Sequence, residues 1–117
     1  MNLTIGGKEY ELRFGMDFIN TLDNIYTQEI EGMQFGMGVE SLVMYLSMKN
    51  PRALYNAIKA GASYLNSKPS NHDIEVFITE KANKDELGPL FEAFQKALEE
   101  APLLKPKIKQ FKANQQA

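Results

Sequence analysis

Leu3-Thr4-Ile5-Gly6-Gly7-Lys8-Glu9-Tyr10-Glu11-Leu12-Arg13-Phe14 opens the chain with two alternating runs joined by a glycine pair. A two-residue turn between antiparallel strands needs positive φ, which glycine adopts without steric penalty. Tyr10, Leu12 and Phe14 fall on one face at period two, and Glu9, Glu11 and Arg13 on the other. The stretch reads as a β-hairpin with one side turned to a core. Gly15 permits a sharp change of direction into an amphipathic helix near Met16, and everything downstream reads as helix. The expected fold is mainly α, of the α+β kind: an N-terminal β-hairpin followed by about five helices in a compact single domain.

Outward from the hairpin, Phe18, Leu22 and Ile25, with Ile19 and Tyr26, form a wide apolar stripe over a first helix, Met16 to Gln28. Asp17 and Asp23 lie off that stripe and read as solvated. Glu29 to Gly38 breaks the pattern, because Gly32, Gly36 and Gly38 each raise the helical cost by about 1 kcal/mol relative to Ala. This segment reads as a flexible loop whose Met33, Phe35 and Met37 either fold back over the core or form an adaptable apolar contact surface. A second helix, Val39 to Lys49, is apolar on more than one side, with Met44, Tyr45 and Met48 beside Val39, Leu42, Val43 and Leu46. Such a helix is either central or touches another subunit. Asn50-Pro51 ends it and starts a third, Pro51 to Asn66, whose Ala57, Ala60, Gly61, Ala62 and Ser63 invite close approach of another helix. Ser70-Asn71-His72-Asp73 has the spacing of a capping box for a fourth helix. A fifth begins at Asp85, as its cap, or at Pro89, and carries Leu90, Phe91, Phe94 and Leu98 to Glu100. Pro102 and Pro106 oppose further helix. Residues 1–104 make up the helical domain, and 105–117 a basic, flexible tail.

Composition narrows the class. A chain of 117 residues supports one core and buries about 65% of its unfolded surface. Cysteine is absent, which excludes disulfides and thiolate metal sites and suits a reducing compartment. No secretory signal is visible, and no apolar stretch approaches the roughly 18 residues that span a bilayer. Net charge is −2, unevenly spread. Residues 1–104 hold nine of the 13 basic residues and all 15 acidic ones, whereas Lys105, Lys107, Lys109 and Lys112 give the last thirteen residues +4.

No catalytic constellation emerges. His72 is the only histidine, and the Ser70 cap accounts for its neighbourhood. The acidic pairs Glu9/Glu11, Glu29/Glu31, Asp85/Glu86 and Glu99/Glu100 read as solvated faces, with no calcium-loop spacing among them. Gly32 to Gly38 follows a helix and lacks the Lys-Ser/Thr of a phosphate loop. Phe111 among four lysines is the one feature resembling nucleic-acid binding, but the body is acidic and has no stacking platform. No metal, cofactor or catalysis is expected. The remaining candidates are protein contacts: Met33, Phe35, Met37, Met44 and Met48, since methionine re-packs against varied partners, and Lys105, Lys107, Lys109, Phe111 and Lys112 in the tail.

The opening, Met1 to Ile19 with its Gly-Lys-Glu-Tyr-Glu-Leu and Phe14-Gly15, resembles the start of the tail assembly chaperone family of long-tailed phages of Gram-positive hosts. The layout from Leu54 through the capped helix at Ser70 to the lysine-rich end is similar as well. The resemblance implies a non-enzymatic protein of the host cell cytoplasm, absent from the mature virion. It would keep the tape measure protein soluble and help recruit tail tube subunits. A frameshifted longer version of itself and a homo-oligomer are further implied partners, with neither membrane nor nucleic acid among them. Another small phage structural or head–tail joining protein, retained in the virion, is the alternative. A basic-tailed nucleic-acid-associated regulator is a third.

Overall fold

The computed structural model describes residues 1–116, with side chains throughout except at 28–30, 34, 35, 115 and 116. The opening hairpin forms as β1 (Asn2–Ile5) and β2 (Lys8–Glu11), paired antiparallel with Leu3 opposite Tyr10. Gly6 and Gly7 make the turn at φ +59° and +78°. Ile5, Tyr10 and Leu12 are buried while Glu9, Glu11 and Arg13 are exposed, as the alternation requires.

The helices are α1 (Met16–Ile25), α2 (Gly38–Ser47), α3 (Pro51–Gly61), α4 (Asn71–Asn83), α5 (Leu87–Glu100) and α6 (Lys105–Gln116). The most central is α3, which buries Ala53, Leu54, Asn56, Ala57, Ile58, Ala60 and Gly61. It packs on α1, α2, α4 and α5. Close neighbours do pack against this small-residue helix, α1 and α2 among them, and the residues just after β2 meet its C-terminal end at Gly61. A Cβ on Gly61 would lie 3.0 Å from the Cβ of Leu12, and the Arg13 amide donates to the Gly61 carbonyl at 3.0 Å. Ser70 caps α4 by accepting from the Asp73 amide at 3.0 Å, and Pro51 occupies the first turn of α3 after the Asn50 cap.

Several expectations are corrected. The first helix stops at Ile25, and what read as a loop is a second antiparallel hairpin, β3 (Thr27–Ile30) and β4 (Met33–Gly36). The chain is therefore not purely helical after its opening, and an all-α description leaves out both hairpins. The turn of this second hairpin, Glu31 at φ +52° and Gly32 at +80°, repeats the geometry of the first. The last expected segment, the flexible tail, is α6. Ile108 is buried in it beside Leu104, and Pro106 sits in its first turn, where a missing amide costs nothing. Asp85 does not cap α5: it takes φ +56°, and Glu86 stands at the N-cap without a side-chain hydrogen bond to the helix amides. Asp23 is not simply solvated, because its Oδ1 accepts from the Gly38 amide at 2.9 Å and so tethers the start of α2 to α1.

The same tether explains two glycines that composition alone assigned to flexibility. A Cβ on Gly38 would stand 2.6 Å from the Leu22 carbonyl carbon, and one on Gly36 would stand 2.6 Å from the Asp23 Cβ. These residues are small because α1 passes directly beneath them.

Candidate protein-binding surface

The contact candidates divide between three places. Met33 stands at the tip of the β3–β4 hairpin, 63% exposed. Met44 and Met48, one helical turn apart, occupy the outer side of α2 at 39% and 63% exposure. Met37 is half-buried at the N-cap of α2, where its amide donates to the Tyr26 carbonyl at 2.8 Å, so it is a junction residue more than a contact. The side chain of Phe35 lies outside the described residues. Lys105, Lys107, Lys109 and Lys112 are exposed along α6, and Phe111 is half-buried on the same helix.

The spatial link between α2 and α6 has no counterpart in the sequence pattern. Lys107 Nζ lies 3.2 Å from a carboxylate oxygen of Glu40 near the start of α2. Lys112 donates to Glu99 on α5. Two of the four tail lysines are thus engaged with acidic groups of the body. A shallow cleft of about 520 Å³ follows this seam, lined by Glu40, Leu103, Pro106, Phe111 and neighbours, with Leu103 55% exposed. The contributions of Glu40 and Leu103 escaped sequence reasoning. Leu104, Ile108 and Phe111 at i, i+4 and i+7 were the available signal that this end is an amphipathic helix.

A second polar feature sits at the base of the β3–β4 hairpin. Tyr26 and Tyr45 stack at 5.7 Å between ring centroids, and Asn56 Nδ2 donates to the Tyr26 hydroxyl at 2.8 Å. Burial raises the Tyr26 phenol above its ordinary value, partly offset by that hydrogen bond. At the α4–α5 corner Lys81 donates to Glu86 at 3.0 Å and lowers its carboxyl below the usual range. Among the described residues no group of three or more His, Cys, Asp or Glu is placed to hold a metal ion, and no helix is long and apolar enough to cross a membrane. His72 is exposed on the first turn of α4.

The arrangement offers exposed apolar side chains on a hairpin tip and on a face of α2, and a lysine-bearing helix packed against α2. The family described as phage tail assembly chaperone protein, TAC, matches this chain over residues 2–112. The chain belongs to that family. The match spans both hairpins and all of α1 to α5, and enters α6 as far as Lys112. For this family member no curated protein and no solved structure gives a significant match. Membership in a tail assembly chaperone family implies interaction with tail proteins of a phage.

Proposed function

We propose that this chaperone binds the tape measure protein through its exposed methionines, keeps it soluble without catalysis, and helps recruit tail tube subunits that later take its place. The observation that carries the reading is the exposure of Met33, Met44 and Met48, three flexible apolar groups left outside the core. A chaperone that is later displaced needs weak, repeated contacts, and thioether side chains adapt to successive apolar segments of a long client. The protein acts in the host cytoplasm and is missing from the finished virion. A frameshifted longer version and self-association belong to the same proposal.

Co-expression with the tape measure protein tests it. Wild type is expected to hold the client in the soluble fraction, and Met33→Ser combined with Met48→Ser to lose most of that effect while keeping a native circular-dichroism spectrum. Full solubilisation by a folded double variant would remove the methionines from the mechanism. Detection of the chain in purified phage by mass spectrometry would favour a structural protein of the particle.

A further inference from the structure

The groove between α2 and α5 is occupied by α6, and incompletely. Ile108 is the one buried side chain among the described residues of α6, with Leu104 just ahead of it. Beneath the helix remains a gap of about 90 Å³ floored by Val43, Leu46 and Leu98, with Ile108 and Lys112 above. On the other flank a shallow cleft opens beside Leu103, Pro106 and Phe111. Protein interiors normally close such spaces, because a void forfeits the dispersion contacts of its lining. The rim is acidic where α6 is basic: Glu40 receives Lys107 at 3.2 Å, and Glu99 receives Lys112. Both lysines remain about half exposed, so water screens each pair. Buried Ile108, Leu104 at its entry, half-buried Phe111 and two screened ion pairs hold this helix, in contrast to the seven buried residues of α3.

We propose that α6 is a displaceable occupant, and that the groove beneath it is a docking site for a basic amphipathic helix of a partner protein. The occupant seen in the structure defines the chemistry required. It presents Leu104, Ile108 and Phe111 at i, i+4 and i+7, with lysines beside them that meet the acidic rim. Displacement uncovers Val43, Leu46 and Leu98, an apolar strip running beside Glu40 and Glu99. The inference rests on the proposed function for the partner being a tail protein, and on the groove alone for the site.

The probe is a fluorescent peptide with the sequence of residues 103–116, titrated into the full-length protein by anisotropy. Freeing the groove raises the competent fraction, so Ile108→Asp in the protein is expected to tighten peptide binding at least about tenfold. Lys107→Glu with Lys112→Glu, a surface change that leaves the core alone, is expected to tighten it about threefold by the same logic. A peptide carrying Asp in place of its own Ile108 should not bind. In the wild type, amides of α6 are expected to exchange with deuterium at least about tenfold faster than those of α3. Overturning results are a folded Ile108→Asp protein that binds the peptide no better, or α6 amides exchanging as slowly as α3. If Ile108→Asp does not fold, the lysine pair and the exchange rates still decide. Wild-type dimers dissolved by the peptide would assign the groove to a second copy and overturn the partner assignment. A tape measure protein that leaves the peptide seated on the opened groove overturns that choice of client, and the peptide and exchange results still judge the site.

Discussion

The two hairpins are built by the same local device and end in different places. Each joins four-residue antiparallel strands through two residues of positive φ, Gly6-Gly7 in one and Glu31-Gly32 in the other. The first is stitched into the body: Ile5, Tyr10 and Leu12 are buried, the Arg13 amide donates to Gly61, and the Tyr64 hydroxyl donates to the Glu11 carbonyl at 2.7 Å. The second touches the body where β4 crosses α1, and displays Met33 at its tip. Turn chemistry makes a hairpin, and neighbouring elements decide whether it becomes core or surface. One hairpin is a scaffold, and the other is an outward-facing element of a chaperone.

The largest break in this comparison is Leu12→Ala. Its side chain is 2% exposed against Gly61 of α3, and truncation is expected to cost about 3 kcal/mol in urea unfolding. Gly38→Ala attacks the base of the second hairpin, where the added Cβ meets the Leu22 backbone at 2.6 Å. Backbone cannot swing aside as a side chain can, and overpacking of this kind is expected to cost about 2 kcal/mol despite the better helix propensity of alanine. A cost near zero would show that α1 and α2 are free to separate.

Tyr26→Phe sharpens the comparison at the same base. It strands the Asn56 amide, which is only 5% exposed, and is expected to cost about 1.5 kcal/mol. Because burial raises the folded-state value of Tyr26, its neutral hydroxyl favours the native state. That contribution is present in full below pH 10 and is lost as pH rises through the folded value. Urea midpoints at pH 9 and pH 11 should therefore diverge more for wild type than for Tyr26→Phe. Smallest in stability is Met33→Ser, expected within about 0.5 kcal/mol of wild type because the side chain is largely in water already. Under the proposed function its effect is expected in client solubilisation, and a stability loss as large as that of Leu12→Ala would make the second hairpin core.

Much of the frame was legible because it follows from local rules. Period-two alternation and a glycine pair specified β1–β2, Asn50-Pro51 and Ser70 marked the starts of α3 and α4, and the stripe through Leu90, Phe94 and Leu98 specified α5. The second hairpin was missed because Gly32, Gly36 and Gly38 look alike in sequence yet do different work. Gly32 supplies a turn, whereas Gly36 and Gly38 make room for α1. The last helix was missed because four lysines and two prolines outweighed the Leu104, Ile108, Phe111 spacing. Its stability depends on α2 and α5, which a local window does not contain. The methionine set was readable as candidates, but its division into hairpin tip, helix face and junction was not.

The chain by itself determined the turn of the first hairpin and the starts of α3 and α4, since each depends on residues within a few positions of one another, and its composition excludes thiol chemistry. Only the tertiary structure decided that Asp23 accepts from the first amide of α2, that Lys107 and Lys112 are drawn to Glu40 and Glu99, and that the first hairpin is anchored in the core while Met33 of the second is exposed. Those outcomes depend on distances between residues 13 to 67 positions apart, and such distances exist only once the core has closed.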